Sequence, residues 1–318
     1  MRIDPAIRTL RDGGAQALPH PQRSRAYAVQ AHMAAAQRDW LESQPAQLTD
    51  DFRAYADGAE LRDLPCLSRL MMRPCEARNL VASLNTAMLA ALRHEPLGEV
   101  PFRFKMSTGL ATLQILHCSR AVLSLAVYEP VRGPVEAPDT AVFVDREQTE
   151  IVVSGRAAGV RHTFEPGSPV KTERCDWAAG DWMTLTPGAE TRQVLSVKSA
   201  LVMLQLTRDP ERPKPSREVL LATGHEAQRA SGDKAASQAL MATAVLGALG
   251  ATNALDVLAE TALARAEEPD LRWEAVRQSL SLDAAAGKAL LDKLAARADD
   301  PLAQPASALR AHLFAEAA

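Results

Sequence analysis

The sequence predicts an α+β chain of several domains: an antiparallel jelly-roll β-barrel, N-terminal helices that cover it, and a C-terminal all-α domain of helical repeats. Three observations predict it. Between Gly98 and Thr207, short runs of alternating apolar residues follow one another with turn residues between them and no helical period. On either side of that stretch, apolar residues recur at spacings of three and four on an alanine- and leucine-rich background. A segment dense in proline and charge, TRDPERPKPS, separates the strands from the last helices.

Taken in order, residues 1–24 mix Arg, Pro and Gly with little periodicity and read as an extended arm with room for one short helix and without a core. Residues 25–98 form a helical segment. Tyr27, Val29, Met33, Trp40 and Leu41 place one helix over Arg25–Glu42. A second starts after Pro74 and Cys75 and carries Leu80, Val81, Leu84, Met88, Leu89 and Leu92 up to Pro96. Residues 99–206 are the barrel. Phe102 and Phe104, then Leu113 and Ile115, then Leu123, Leu125 and Val127 begin a series that continues at 142–144, 150–155, 160–164, 183–186, 192–197 and 201–206. Nine or ten short strands without intervening helices argue against a parallel sheet, which needs crossover helices. Residues 207–216 are a stiff linker, because Pro210, Pro213 and Pro215 lack backbone donors.

Residues 217–318 read as helical throughout, with helices over Arg217–Arg229, Lys234–Leu249, Ala251–Ala266, Leu271–Leu282, Asp283–Arg297 and Pro301–Phe314. Leu271 and Ala275 recur 31 positions on as Leu302 and Ala306, each pair beside an Asp and a Pro. On DLRWEAVRQSLSLDAAAGKALLDKLAARADDP the tail resembles short HEAT-type repeats, an architecture that implies an extended surface for another protein.

Composition narrows the function classes. The 318 residues suffice for two cores. With 36 basic against 39 acidic residues and a net charge of -3, there is no positive field to gather nucleic acid or anionic lipid. AVRQSLSLDAAAGKALLDKL could pass for a helix-turn-helix, but its second helix offers only Lys288 and Lys293 to DNA. No apolar run is long enough to span a bilayer, and the first 24 residues lack the apolar centre of a secretory signal, so the expected location is the cytoplasm. Cys66, Cys75, Cys118 and Cys175 show neither a zinc spacing nor a disulfide framework.

The stretch GDWMTLTPGAETRQV, Gly180 to Val194, has a Gly-Asp pair, an alternating run and a Pro-Gly turn. With it, Phe102 to Leu206 resembles a cupin. That family's second motif keeps here its two glycines, Gly180 and Gly188, with Asp181 after the first, while Pro187 stands one place late. The resemblance places Thr191 where the family's histidine ligand falls and Leu195 where its asparagine falls. Counting back from Gly155 in EIVVSG puts Gln148 at the glutamate-ligand position and Val142 and Val144 at the paired histidines. Valine has no donor atom, and amide and hydroxyl groups are weak neutral ligands, so no metal or other cofactor is expected.

Six residues remain as candidates. His162 and His117 are the histidines of the strand region, and either serves as a general base if a carboxylate orients it; Glu173 and Asp176 are close in sequence. Arg192 can hold a carboxylate bidentately, Trp182 can floor an apolar pocket, and Thr191 and Gln148 occupy the vacated ligand positions. The leading expectation is therefore a non-catalytic binding or regulatory protein. Its barrel takes a small molecule or acts as scaffold, and residues 217–318 dock another protein. The alternatives are a metal-independent isomerase or epimerase using a barrel histidine, and a transcriptional regulator. A homodimer fits the edges that such barrels must cover.

Overall fold

The computed structural model describes residues 20–131 and 138–314. The arm expected over 1–24 lies outside the described residues as far as Pro19; from His20 the backbone is helical. Two compact units divide the chain, the first holding residues 1–141, 146–211 and 221–224 and the second 142–145, 212–220 and 225–318.

In the first unit α1 (His20–Glu42), α2 (Ala46–Asp57), α3 (Pro65–Met72) and α4 (Pro74–His94) follow one another. Prolines at the first helical position start both α3 and α4, where the missing N–H costs nothing. The periodicity reading passes over α2 and α3. Their signal is tertiary: the buried Asp51 on α2 accepts the N–H groups of Cys66 (2.7 Å) and Leu67 (3.1 Å), capping α3 across a 15-residue gap.

The main sheet contains β1 (Phe104–Ser107), β2 (Leu110–Cys118), β3 (Ala121–Tyr128), β5 (Glu147–Thr163), β6 (Lys171–Ala178), β7 (Trp182–Leu185) and β8 (Glu190–Arg208). Its order is β1-β2-β3-β8-β5-β6, with β7 also on β5, and its pairs are antiparallel. Two of these strands are long, not short. The runs expected separately at 150–155 and 160–164 are one 17-residue strand, and those at 192–197 and 201–206 one of 19 residues. Register shifts around Gly155 bend the β5–β8 pair without breaking it. Gly155 has φ +90°, and a Cβ there would lie 2.1 Å from the Ala200 carbonyl oxygen, so the bend requires glycine.

Strand alternation gives the sheet two different faces. Leu123, Leu125, Ile151, Val153, Leu204 and Leu206 form one core with Phe52, Leu67 and Leu84 of the helices. Arg208 joins the layers: its guanidinium pairs with Glu147 (2.7 Å), lies 4.3 Å from the Tyr55 ring centre and donates to the Tyr55 and Ala59 carbonyls. The other face carries Val152, Ala157, Trp177, Leu201 and Met203.

A three-stranded sheet, β10-β9-β4, is formed by β4 (Thr140–Phe143), β9 (Ser216–Leu220) and β10 (Glu226–Ala230). It corrects the expected helix over Arg217–Arg229. Glu, Arg, Ala and Gln there are good helix formers, but Gly224 sits at φ +71° and the Leu220 N–H reaches the His225 carbonyl. These features close a hairpin and leave Val219 buried. The remaining helices are α5 (Lys234–Ala248), α6 (Leu255–Leu263), α7 (Pro269–Leu282), α8 (Ala284–Ala295) and α9 (Ala303–Phe314). Ala275, Leu302 and Ala306 meet in one cluster with Leu258, Val276 and Leu291. Within this unit Arg272 and Asp300 make a buried ion pair at 2.6 Å.

Candidate ligand site

The face of the main sheet turned away from the helices carries a charged centre. Glu150 on β5 is fully buried, and its two oxygens accept from four donor atoms: Arg192 Nε, Arg192 Nη2 (2.7 Å), Gln205 Nε2 (2.5 Å) and Gln148 Nε2 (2.7 Å). Arg192 Nη1 donates to the Tyr128 hydroxyl (3.2 Å), and the guanidinium lies 5.5 Å from the Tyr128 ring centre and 5.7 Å from that of Trp177. Burial works against a charge on Arg192, but Glu150 and Tyr128 hold it protonated, above its ordinary range. The Trp177 ring reaches this position over Gly159, where a Cβ would stand 2.6 Å from the ring.

Beside the centre opens a cleft of about 580 Å³, lined by Arg161, Cys175, Asp176, Trp177, Met183 and Arg192, with half-exposed Trp182 at its rim. Arg161 uses Nη2 on the Thr184 carbonyl and on Glu190 (2.8 Å). Its Nε is buried and has no hydrogen-bond partner among the described residues. Burial pushes the Glu190 carboxyl up, yet Arg161 and the hydroxyl and N–H of Thr186 together bring it down to about 2. A row of polar residues crosses four strands of the same face, Gln114, Ser124, Gln205 and Glu150 in register, and the buried Oε1 of Gln114 likewise has no partner.

The expected residues fall in different places. Arg192 and Gln148 meet at Glu150, and Trp182 stands at the cleft. Thr191, adjacent to Arg192, lies on the other side of β8, across from His162. Val142 is on β4 of the three-stranded sheet and Val144 follows that strand, while Gln148 and Thr191 are on β5 and β8 of the main sheet. Among the described residues, no three of His, Cys, Asp and Glu come together as a metal-holding group.

His162 is 1% exposed and its ring nitrogens are both occupied by neutral side chains, Thr172 Oγ1 at Nδ1 (2.8 Å) and Gln193 Oε1 at Nε2 (3.2 Å). The Gln193 amide donates to the Thr140 carbonyl, so its oxygen faces the ring and the proton sits on Nε2. Burial lowers the His162 pKa, the Gln193 bond opposing it in part. Glu173 and Asp176 make no bond to either nitrogen; Glu173 is opposite Arg161 and Asp176 lines the cleft. His117 is exposed on β2.

Sequence reading passed over Glu150, Tyr128 and Gln205. The one signal for Glu150 was an acid opening an apolar strand two places after Gln148, hence on the same face.

These features define an α+β protein whose antiparallel sheet holds a buried arginine–glutamate centre beside an open cleft. No family model matches the sequence, and no curated protein matches it. Solved structures similar to part of the chain include a variant oxalate decarboxylase of B. subtilis, at 12% identity over 35% of this chain and 28% of that one, TM-score 0.27. An RmlC-like cupin from Shewanella frigidimarina is 12% identical over 35% of this chain and 86% of that one, TM-score 0.24. CENP-C of Drosophila melanogaster, bound to CAL1, is 13% identical over 39% of this chain and 95% of that one, TM-score 0.28. The chain thus spans under a third of the decarboxylase, and none of these likenesses bears on its chemistry.

Proposed function

We propose that the chain is a non-catalytic binding protein with a cupin-like barrel in which an arginine takes the place of a bound cation. The cleft beside it receives a small molecule, and the HEAT-like helices dock a protein. The observation that carries this reading is the pairing of Glu150 with Arg192. The Glu150 Oε1 accepts from Arg192, Gln148 and Gln205 and its Oε2 from Arg192 Nε, so the buried carboxylate already has a permanent cation as its counter-charge. A general base is also poorly served by His162, whose partners are neutral and whose ring is sealed from solvent. The cleft has the volume of small-molecule sites, and Arg161, Asp176 and Arg192 give its lining polar groups beside Trp177 and Met183.

A thermal-shift survey of small metabolites against the full-length protein tests the reading. At least one compound is expected to raise the midpoint of the wild type and to lose most of that effect on Arg161→Met. Turnover of any such compound would reject the non-catalytic assignment, and a ligand indifferent to Arg161→Met would place binding elsewhere.

A further inference from the structure

The outer face of α5 is built for contact yet stands open to solvent. From Ala235 to Leu255 there is no Asp, Glu, Lys or Arg. On one side α5 is seated on α7, where Gly247 comes so close to Gln278 that a Cβ would lie 1.6 Å from its Oε1. On the other side Met241, Val245 and Leu249 are 59%, 55% and 75% exposed. They recur every fourth residue and so share one stripe, with Ala242 and Ala248 beside them and the uncharged Gln238 at its start. The first helix of a helical stack ordinarily turns a polar surface outward; this one turns out thioether and aliphatic groups, at a cost in exposed apolar area that a partner would relieve.

We infer that this face binds the same face of a second copy of the chain, as two α5 helices packed antiparallel about a twofold axis at Val245. The spacing is symmetric about that residue. Met241 and Leu249 each stand four positions away, so the axis sets Val245 against its own copy and Met241 against Leu249 in both directions, the reciprocal pattern of a closed dimer. Charge agrees: a stripe without charge repels nothing on its own copy and carries no complement for a charged partner. The two alanines, one on each side of Val245, let the backbones approach. Size sets the strength. Three to four turns of helix bury on the order of 400 Å² per copy, about half of a standard interface, so a reversible dimer in the micromolar range is expected. The inference rests on the proposal that the helical unit is the interacting part, and it names the partner as the chain itself.

Sedimentation velocity of the full-length protein from about 1 to 200 μM, a range around that affinity, is the test. The wild type is expected to pass reversibly from monomer to dimer, and Val245→Glu, which sets two carboxylates against each other across the axis, to weaken dimerisation by about 100-fold. Val245→Cys adds a second reading: mild oxidation should give a dimer linked 245 to 245, identified by peptide mapping, whatever the fate of the Glu variant. A monomeric wild type at every concentration, or a Val245→Glu dimer as tight as the wild type, would overturn the inference. Ligand shifts in the cleft should survive Val245→Glu, so failure of the dimer and failure of the ligand reading are told apart.

Discussion

The chemistry of the site turns on Arg192 and Glu150, placed 42 positions apart and joined only by the fold. Removing one member strands the other in a medium that solvates it poorly. Arg192→Met is expected to cost about 3 to 5 kcal/mol in urea unfolding. Adding Glu150→Leu should recover part of this, the remainder reflecting Gln148 and Gln205 left without their acceptor. His162 gives a second prediction through its neutral ring. Its folded pKa lies below 6.5, while the unfolded chain takes up a proton near 6.5, so stability declines as pH falls below about 6.5. Urea midpoints from pH 8 to 5 should show that decline, and His162→Gln should flatten it. Arg192 and the cleft's Trp182 stood out in the sequence because their types suggest binding, and Gln148 only through the position that the resemblance gave it. Glu150 did not stand out: a period of two says which face a side chain takes, never which residue of a distant strand it meets.

At the scale of the element, what was legible was local. The helix opened by Pro74 and the helices from Lys234 onward carry their period and their caps within a few residues, and Asp233 and Asp283 each accept N–H groups of the helix they start. What was not legible depended on contacts from elsewhere. The strands β5 and β8 looked like four because glycine and polar residues at their bends resemble turns. The β9–β10 hairpin looked helical because its composition favours helix until the turn at Gly224 closes it. The α2–α3 pair shows the same dependence. Asp51→Ala removes the acceptor for two buried N–H groups at the start of α3 and is expected to destabilise the protein by about 2 kcal/mol, measured by chemical denaturation.

For the whole molecule, each unit has its own apolar cluster and its own buried arginine–carboxylate pair, Arg192 with Glu150 and Arg272 with Asp300. No described helix is long and apolar enough to cross a membrane. Dialysis against EDTA is expected to leave both the melting midpoint and the ligand response unchanged; a chelator-dependent loss of structure would show that an ion, not Arg192, neutralises Glu150. If Arg192 is that counter-charge, it has a consequence for supply. A cation carried on a side chain is made by the ribosome with the chain, one per molecule. It neither exchanges with other ions nor depends on what the cell can import, so the sheet would keep its shape through metal starvation and metal excess alike.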